Sequence, residues 1–157
     1  MIIEPCENAE NICRVMHLAF ERYKEDPIPS SALVETSQTI EKELQKGIRV
    51  WCGKINEQLI AIVKVVSQED ALYFSRLSVI PSMQGQGYAK QFVRFIEQQA
   101  TMEGKCHVTC KVRSSEEGNI QLYRKLGFEI VGEKMIPNIL GQNIQVVSMR
   151  KRINSAF

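Results

Sequence analysis

The sequence predicts a mixed α/β domain, in which strands and helices alternate along one chain. Three observations carry this prediction. Apolar residues recur at helical spacing in several segments, as in residues 8–24. Short runs rich in β-branched and aromatic residues, such as "LIAIVKVVSQ", separate those segments. Near the centre, the stretch "VIPSMQGQGYAKQF" leads from a strand-like run through two glycines into an amphipathic segment.

The first third of the chain predicts one strand and two helices. "MIIEPC" has the composition of a strand, and a helix is expected from Asn8 to Lys24. Pro27 and Pro29 cannot continue that helix. A second helix is expected to follow as far as Lys46, with Gly47 placed to end it.

The middle of the chain predicts three consecutive strands and a long helix. The strand-like runs are "IRVWCGKI", "LIAIVKVVSQ" and "ALYFSRLSVI". Residues 56–58, "NEQ", join the first two runs as a hairpin, and Pro81 closes the third. A helix is then expected from Ala89 until Gly104 stops it.

The last third predicts strand, helix, strand, strand. "CHVTCKV" is read as a strand, and "SSEEGNIQLYRKLGF" as a short helix. Ser114 and Glu117 have the spacing of a capping box at the start of that helix, and Gly127 is placed to end it. "FEIVGEKMI" and "NIQVVSMRK" supply the final strands.

Composition limits the class of protein. With 157 residues, 44% of them hydrophobic, we expect one domain over residues 1–152 and a short tail over 153–157. A net charge of +2 is far from the balance of a dedicated nucleic-acid binder, so no nucleic-acid partner is expected. The sequence has no run long enough to span a membrane and no signal peptide, so we expect a cytoplasmic protein without a membrane partner.

The cysteines suggest a metal site, but their spacing argues against one. Five cysteines without a CxxC pair do not make a secreted disulfide framework. In "CHVTC", a strand would point Cys106 and Cys110 to one face and His107 to the other. His17 is the other histidine, and no second ligand cluster accompanies it. We therefore expect buried structural thiols and no metal.

Gly85 and Gly87 raise the question of a ligand. A glycine turn that enters a helix directs free N–H groups and the positive end of the helix dipole at one point, which suits an anion. A plain strand-to-helix turn would use the same glycines. The Rossmann fingerprint fails because Lys90 stands at its third glycine position, and the P-loop pattern is absent.

Two motifs resemble those of the GNAT superfamily of N-acetyltransferases. The pattern Gln84-x-x-Gly87-x-Ala89 after "LSVIP" resembles the loop that binds the pyrophosphate of acetyl-CoA in that family. The segment "NIQLYRKLGFEIVGE" resembles its second conserved motif, in which a helix with a tyrosine precedes Gly-Phe and a strand. The predicted order of elements also matches. The resemblance implies the GNAT fold, with a central, mostly antiparallel sheet whose splayed strands are flanked by helices.

The resemblance also implies a set of residues that bind acetyl-CoA. Backbone groups of the central strand would pair with the pantetheine arm, and amides of the glycine turn would hold the pyrophosphate. Lys90 and Arg94 would face the 3′-phosphate, or form a solvated face. Asn119 would contact the cofactor or cap its helix. The implied cofactor-binding residues are Leu77, Ser78, Val79, Gln84, Gly85, Gln86, Gly87, Tyr88, Ala89, Lys90, Asn119 and Tyr123.

Tyr123 is the implied catalytic residue. In the family's direct reaction, a phenol with a pKa of about 10 would protonate the departing thiolate, and N–H groups near Val79 would stabilise the oxyanion. The other interpretation makes Tyr123 a core aromatic residue. The sequence names no general base, because "ALYFSRLSV" contains no glutamate and has Arg76 in its middle.

The implied activity is transfer of an acetyl group from acetyl-CoA to a primary amine on a small molecule, peptide or protein. Two alternatives remain: a regulatory module that binds acetyl-CoA without turnover, and a transferase for a longer acyl group. The resemblance also allows a homodimer through the C-terminal strands. The proline- and asparagine-rich segments 23–35 and 136–143 are expected to contact the acceptor.

Overall fold

The structure is a computed structural model, and it describes residues 1–24, 30–138 and 140–153. The chain alternates strands and helices in the predicted order. The strands are β1 (Ile2–Pro5), β2 (Arg49–Ile55), β3 (Gln58–Ser67), β4 (Ala71–Val79), β5 (His107–Arg113), β6 (Glu129–Pro137) and β7 (Asn143–Arg152). The α-helices in the described residues are α1 (Ala9–Phe20), α2 (Ser37–Gln45), α3 (Tyr88–Met102) and α4 (Glu117–Lys125). Short 3₁₀ helices span Glu21–Tyr23, Ser31–Val34 and Pro81–Met83.

The strands form a seven-stranded sheet in the order β1-β2-β3-β4-β5-β7-β6. The pairs β1–β2, β2–β3, β5–β7 and β6–β7 are antiparallel. Strands β4 and β5 run parallel and pair only through their first residues, Ala71–Tyr73 with His107–Thr109. The predicted mixed fold with a mostly antiparallel sheet is therefore confirmed, and the short β4–β5 ladder is the pairing expected of splayed strands.

The chain forms two compact units. Unit 1 comprises Met1–Val66 and Phe74–Val93, and unit 2 comprises Ser67–Tyr73 and Arg94–Phe157. The division falls inside β4 and inside α3, so the sequence has no linker at either point. The assignment of residues 1–152 to one domain stays a prediction.

The core of unit 1 is built from the apolar stripes of its helices and a continuous apolar run in β3. Ile12 and Met16 of α1, Ile40 of α2 and Phe92 of α3 are fully buried. Gly53 of β2 permits close packing, because a Cβ atom there would lie 2.5 Å from Met1 Sδ and 3.0 Å from the Phe92 ring. The predicted β2–β3 hairpin is confirmed.

Two predicted helices are shorter than the sequence indicated. α1 ends at Phe20 and continues only as a 3₁₀ turn, so the helix does not reach Lys24 as an α-helix. The predicted second helix is interrupted at Glu35, whose backbone is extended with ψ 144°. Thr36 then caps α2 reciprocally with Thr39. Pro27 and Pro29 lie outside the described residues.

Unit 2 buries the alternate side chains Val108, Cys110 and Val112 of β5. The prediction of buried thiols is correct for Cys52 and Cys110 and wrong for Cys106, which is exposed. Cys106 lies in a bend just before β5 begins, where strand alternation does not apply. Among the described residues, no group of three or more His, Cys, Asp or Glu side chains is arranged to hold a metal ion.

The helices that the structure describes are too short or too polar to cross a bilayer. None of those in the described part of the chain combines the length and the hydropathy that a membrane span needs.

Candidate functional site

The glycine turn lies in unit 1 between the 3₁₀ helix Pro81–Met83 and the start of α3 at Tyr88. Gly85 and Gly87 have φ angles of +79° and +88°, which other residues adopt only at a cost. A Cβ atom at either position would meet nothing within 4 Å. The protein therefore needs glycine here for the backbone conformation and leaves the space above the turn open.

The side chain of Gln84 fixes the turn to the central strand. Its Nε2 donates to the carbonyl oxygen of Val79, 2.9 Å away. The first helical bond of α3 runs from the amide of Gln91 to the carbonyl of Gly87. The amides before Gln91 thus have no acceptor within the helix, and the turn residues that carry them are largely exposed. The result is a site at which N–H donors and the helix dipole favour an anion.

The central strand is irregular immediately before the predicted pantetheine-pairing residues. Arg76 has a φ angle of +54°, an uncommon conformation for a residue with a side chain. The buried hydroxyl of Ser78 donates to the carbonyl oxygen of Arg76 at 2.7 Å. This hydrogen bond holds the distortion within β4, next to Leu77, Ser78 and Val79.

Glu35 belongs to a cluster of four charged side chains in unit 1, with Lys64, Arg76 and Glu43. Its carboxylate accepts from Arg76 Nε at 2.8 Å and from Lys64 Nζ at 2.5 Å. Lys64 is buried and also contacts Glu43 at 2.7 Å, while an Arg76 guanidinium nitrogen donates to Ser31 Oγ at 2.9 Å. The cluster joins the segment that precedes α2 to strands β3 and β4.

Glu35 remains ionised in this arrangement. Its burial acts to raise the pKa, but the hydrogen bonds and charges of Lys64 and Arg76 outweigh that effect and hold the pKa below its usual value. A paired carboxylate with a lowered pKa is a poor general base. The backbone carbonyl of Glu35 is also engaged, by a ring nitrogen of His17 at 2.8 Å.

Unit 1 also has a cavity of about 580 Å³. It is formed by α1, the turn that follows it and the 3₁₀ helix before α2. Its lining residues are Arg14, His17, Leu18, Glu21, Lys24 and Leu33. Part of the segment 23–35 that the sequence analysis assigned to the acceptor therefore borders a cavity.

Tyr123 lies in unit 2, near the end of α4, and its position follows from the way that helix ends. Gly127, with φ +99°, donates to the Arg124 carbonyl at 3.0 Å, and Phe128 donates to the Tyr123 carbonyl at 3.0 Å. These two bonds define a Schellman motif. An apolar contact between the residues joined by the outer bond, here Tyr123 and Phe128, frequently accompanies this motif. The rings of Tyr123 and Phe128 make that contact, with centroids 5.9 Å apart.

The start of α4 differs from the prediction. The helix begins at Glu117 with Glu116 as its N-cap residue, and no side chain caps it. The predicted capping box of Ser114 and Glu117 is wrong, because the Ser114 amide continues the sheet by donating to Gln145 O at 2.9 Å. Asn119 is half-buried in the first turn of α4, one helical turn before Tyr123.

The predicted site residues thus fall in both units. Those from Leu77 to Lys90 belong to unit 1, and Asn119 and Tyr123 belong to unit 2. Sequence reasoning placed Glu35 only in the acceptor segment 23–35 and missed its pairing with Lys64. The available signal was a lysine inside the apolar run of β3, since a lysine in such a run requires a buried partner.

A family model confirms the class of protein that this fold defines. The model of the acetyltransferase (GNAT) family matches residues 14–128. The match covers more than half of the chain, and it includes the glycine turn, Tyr123 and Phe128. The chain belongs to the GNAT acetyltransferase family.

Solved structures confirm the fold. The ribosomal-protein-S18-alanine N-acetyltransferase of Escherichia coli has a TM-score of 0.76 at 18% identity, covering 99% of this chain and 96% of that one. A putative acetyltransferase of Salmonella typhimurium, described with its cofactor acetyl-CoA, has a TM-score of 0.74 at 14% identity, covering 100% and 96%. Because these identities are low, the likeness concerns the fold alone.

Curated relatives match a smaller part of the chain. N-acetyltransferase 8F1 of Rattus norvegicus is 29% identical over 92 residues, which are 55% of this chain and 42% of the relative. N-acetyltransferase 8 of the same species is 29% identical over 97 residues, or 58% and 44%. The chain thus spans less than half the length of the curated relatives it matches.

Proposed function

We propose that this protein transfers an acetyl group from acetyl-CoA to the nitrogen of a primary amine. The observation that supports this most directly is the open turn at Gly85 and Gly87, where exposed amides and the N-terminus of a 15-residue helix favour an anion. Membership of the GNAT family supplies acetyl-CoA as the cosubstrate. The amides from Gln84 to Lys90 would hold its pyrophosphate, and a Cβ atom at either glycine would occupy the space above the turn.

The irregular part of β4 would hold the other end of the cosubstrate. The backbone of Leu77, Ser78 and Val79 would pair with the pantetheine arm, as an added strand would. Acetyl-CoA supplies an activated acetyl group, and an N–H group near Val79 would stabilise negative charge on the carbonyl oxygen during attack by the amine. The bond from Ser78 to Arg76 supports this role because it holds that backbone in one conformation.

Tyr123 would act as the general acid. The new bond forms between the amine nitrogen and the acetyl carbon, and the carbon–sulfur bond breaks. The phenol of Tyr123 would give its proton to the leaving sulfur. Water would take up the proton that the amine nitrogen loses and would return one to the tyrosinate. Burial of the ring and its contact with Phe128 support this role, because a positioned acid is more effective than a mobile one.

Direct attack is favoured over a route through an acyl-cysteine at Cys13, Cys52 or Cys110. A nucleophilic cysteine needs a lowered pKa. Burial raises the pKa of the Cys110 thiol to about 12, and burial followed by the neighbouring Cys6 raises that of Cys52 to about 11. Burial and then the charge of Glu35 also raise the pKa of Cys13. These three thiols are therefore poor nucleophiles.

Release of free coenzyme A from acetyl-CoA, measured across a panel of small amines, amino acids and peptides, tests the proposal. We expect release above the amine-free rate with at least one amine. Saturable binding of acetyl-CoA without release on any amine would favour the regulatory module. Release with a longer acyl-CoA and none with acetyl-CoA would favour the other alternative.

A further inference from the structure

On one face of the C-terminal strands in unit 2, Gly132 and Ser148 form a stretch with little side-chain volume, which we call the floor. Ser148 of β7 lies opposite Lys111 of β5 on one side and Gly132 of β6 on the other. Gly132 has no side chain, and a Cβ atom there would meet nothing within 4 Å. Ser148 is half-buried and contributes a hydroxyl group. The row that crosses β7 at Ser148 therefore carries little side-chain volume between β5 and β6.

Cations surround this floor. In the next row, Val146 is flanked by Arg113 of β5 and Lys134 of β6. In the row on the other side, Arg150 of β7 lies opposite Glu129. Because side chains alternate along a strand, all of these rows share the face of Ser148. We call these four cations the cationic cluster: Lys111, Arg113, Lys134 and Arg150.

Two members of the cationic cluster lie on opposite sides of β7, Lys111 on β5 and Lys134 on β6. Lys111 lies over the ring of Tyr73, with its Nζ 5.9 Å from the ring centroid. Burial lowers the pKa of Lys111, and the adjacent amine and charge of Lys134 lower it further. Exposed lysines usually extend into water and keep apart. Two like charges thus border the floor, an arrangement that an anion between them would stabilise.

We propose that the cationic cluster binds an anionic oxygen group, a carboxylate or a phosphate, over the floor formed by Gly132 and Ser148. The ammonium groups of Lys111 and Lys134 would donate to it, with the Ser148 hydroxyl below. Glu129 offsets part of the charge of Arg150, so the site is centred on the two lysines. This site is separate in sequence from the glycine turn, and its existence does not depend on the proposed acetyl transfer.

The experiment uses the full chain, labelled with nitrogen-15 and saturated with coenzyme A so that the glycine turn is occupied. Pyrophosphate and a tri-glutamate peptide are added in separate titrations, followed by amide NMR. We expect saturable shifts at Gly132 and Ser148. Saturation with pyrophosphate alone identifies phosphate as the group, saturation with tri-glutamate alone identifies carboxylate, and saturation with both indicates recognition of either.

Substitutions test whether the amide shifts arise from binding at the cationic cluster. Lys111→Gln with Lys134→Gln should raise the dissociation constant by about tenfold or more, because two charge-assisted hydrogen bonds are lost. Lys42→Gln, at an exposed position of α2, is the matched control and should bind like the wild type. Gly132→Val should also block binding, because its side chain would fill the floor without clashing with the protein.

Three results would overturn the proposal. The first is the absence of saturable shifts with either probe. The second is shifts that appear only in a parallel titration without coenzyme A, since the anion would then occupy the cofactor site. The third is wild-type affinity in the double lysine variant and in Gly132→Val.

Discussion

The ring of Tyr123 packs against the ring of Phe128, with 5.9 Å between the centroids and 57° between the planes. Both residues belong to the Schellman motif that ends α4, so local backbone bonds determine which side chains meet. A tyrosine, a glycine four residues later and a phenylalanine directly after it are enough to specify the contact. The motif thus links a short sequence pattern to the position of the proposed acid.

Changing Tyr123 to phenylalanine should separate chemistry from binding. The ring and its packing remain, so the dissociation constant for acetyl-CoA should stay close to that of the wild type. Turnover should fall by about tenfold to ten-thousandfold, the range for loss of a general acid. Steady-state rates on a reactive amine and calorimetry with acetyl-CoA check both parts. A rate within a factor of two of the wild type would mean that the phenol is not the acid.

Changing Gly127 to alanine should disturb the same contact from the backbone. The φ angle of +99° disfavours any side chain, and the new Cβ atom would lie 3.0 Å from Lys151 Cε. We expect a loss of about 1–2 kcal/mol in the free energy of unfolding, measured in urea. Gly118→Ala, in the same helix with nothing within 4 Å, is the control and should not be destabilised. Equal stability of the two variants would contradict the Schellman argument.

Changing Gly87 to valine should abolish acetyl-CoA binding while the chain still folds. The side chain would enter the open space above the turn, where we propose that the pyrophosphate binds. Gly104→Val is matched to it, because Gly104 has φ +73° and equally open surroundings just after the other end of α3. Calorimetry should give wild-type affinity for acetyl-CoA in Gly104→Val and no binding in Gly87→Val. Unchanged affinity in Gly87→Val would mean that the two glycines serve only a plain strand-to-helix turn.

The ion pairs of Glu35 should make the free energy of unfolding depend on pH. The pKa of Glu35 is lowered on folding from an ordinary value of 4.5, so its contribution is present above that value and is lost as the pH falls through the folded pKa. Urea unfolding between pH 7 and pH 3 should therefore be less acid-sensitive in Glu35→Gln than in the wild type. At pH 7 the variant should lose about 1–3 kcal/mol, because Lys64 and Arg76 lose a charged partner. Parallel pH profiles would contradict the pairing.

The two segments that the sequence analysis assigned to the acceptor, 23–35 and 136–143, should each affect acceptor kinetics. Leu33→Ala changes the lining of the cavity in unit 1, and Leu140→Ala changes the β6–β7 turn, where this side chain is exposed. We expect each variant to raise the acceptor KM several-fold and to leave acetyl-CoA affinity unchanged. Met102→Ala, at the exposed end of α3, is the control. Wild-type acceptor kinetics in both variants, or a defect mainly in cofactor binding, would contradict this assignment.

The sequence predicted the features that depend on neighbours in the chain. The glycine turn and the end of α4 at Gly127 each need a particular backbone conformation, which a few adjacent residues determine. The capping box at Ser114 failed because the Ser114 amide is used by Gln145, a residue that lies far away in sequence. Local spacing cannot reveal that a sheet bond has priority over a helix cap.

The charged cluster around Glu35 could not be predicted for the same reason. Its members come from four separate elements and meet only once β3, β4 and α2 have assembled. A lysine in an apolar run indicates a buried partner, but many carboxylates in the sequence could have filled that role. The cationic cluster likewise depends on the register of β5, β6 and β7, including the irregular step between Ile130 and Gly132.

The central claim is that the acetyl group passes directly from acetyl-CoA to an amine nitrogen. Mass spectrometry after incubation with carbon-13-labelled acetyl-CoA and the best amine of the panel tests it most directly. We predict labelled acetyl on the amine nitrogen and none on the protein's thiols during turnover. Label retained on coenzyme A with every amine, or a labelled acetyl-cysteine that forms and decays at the rate of turnover, would contradict the account.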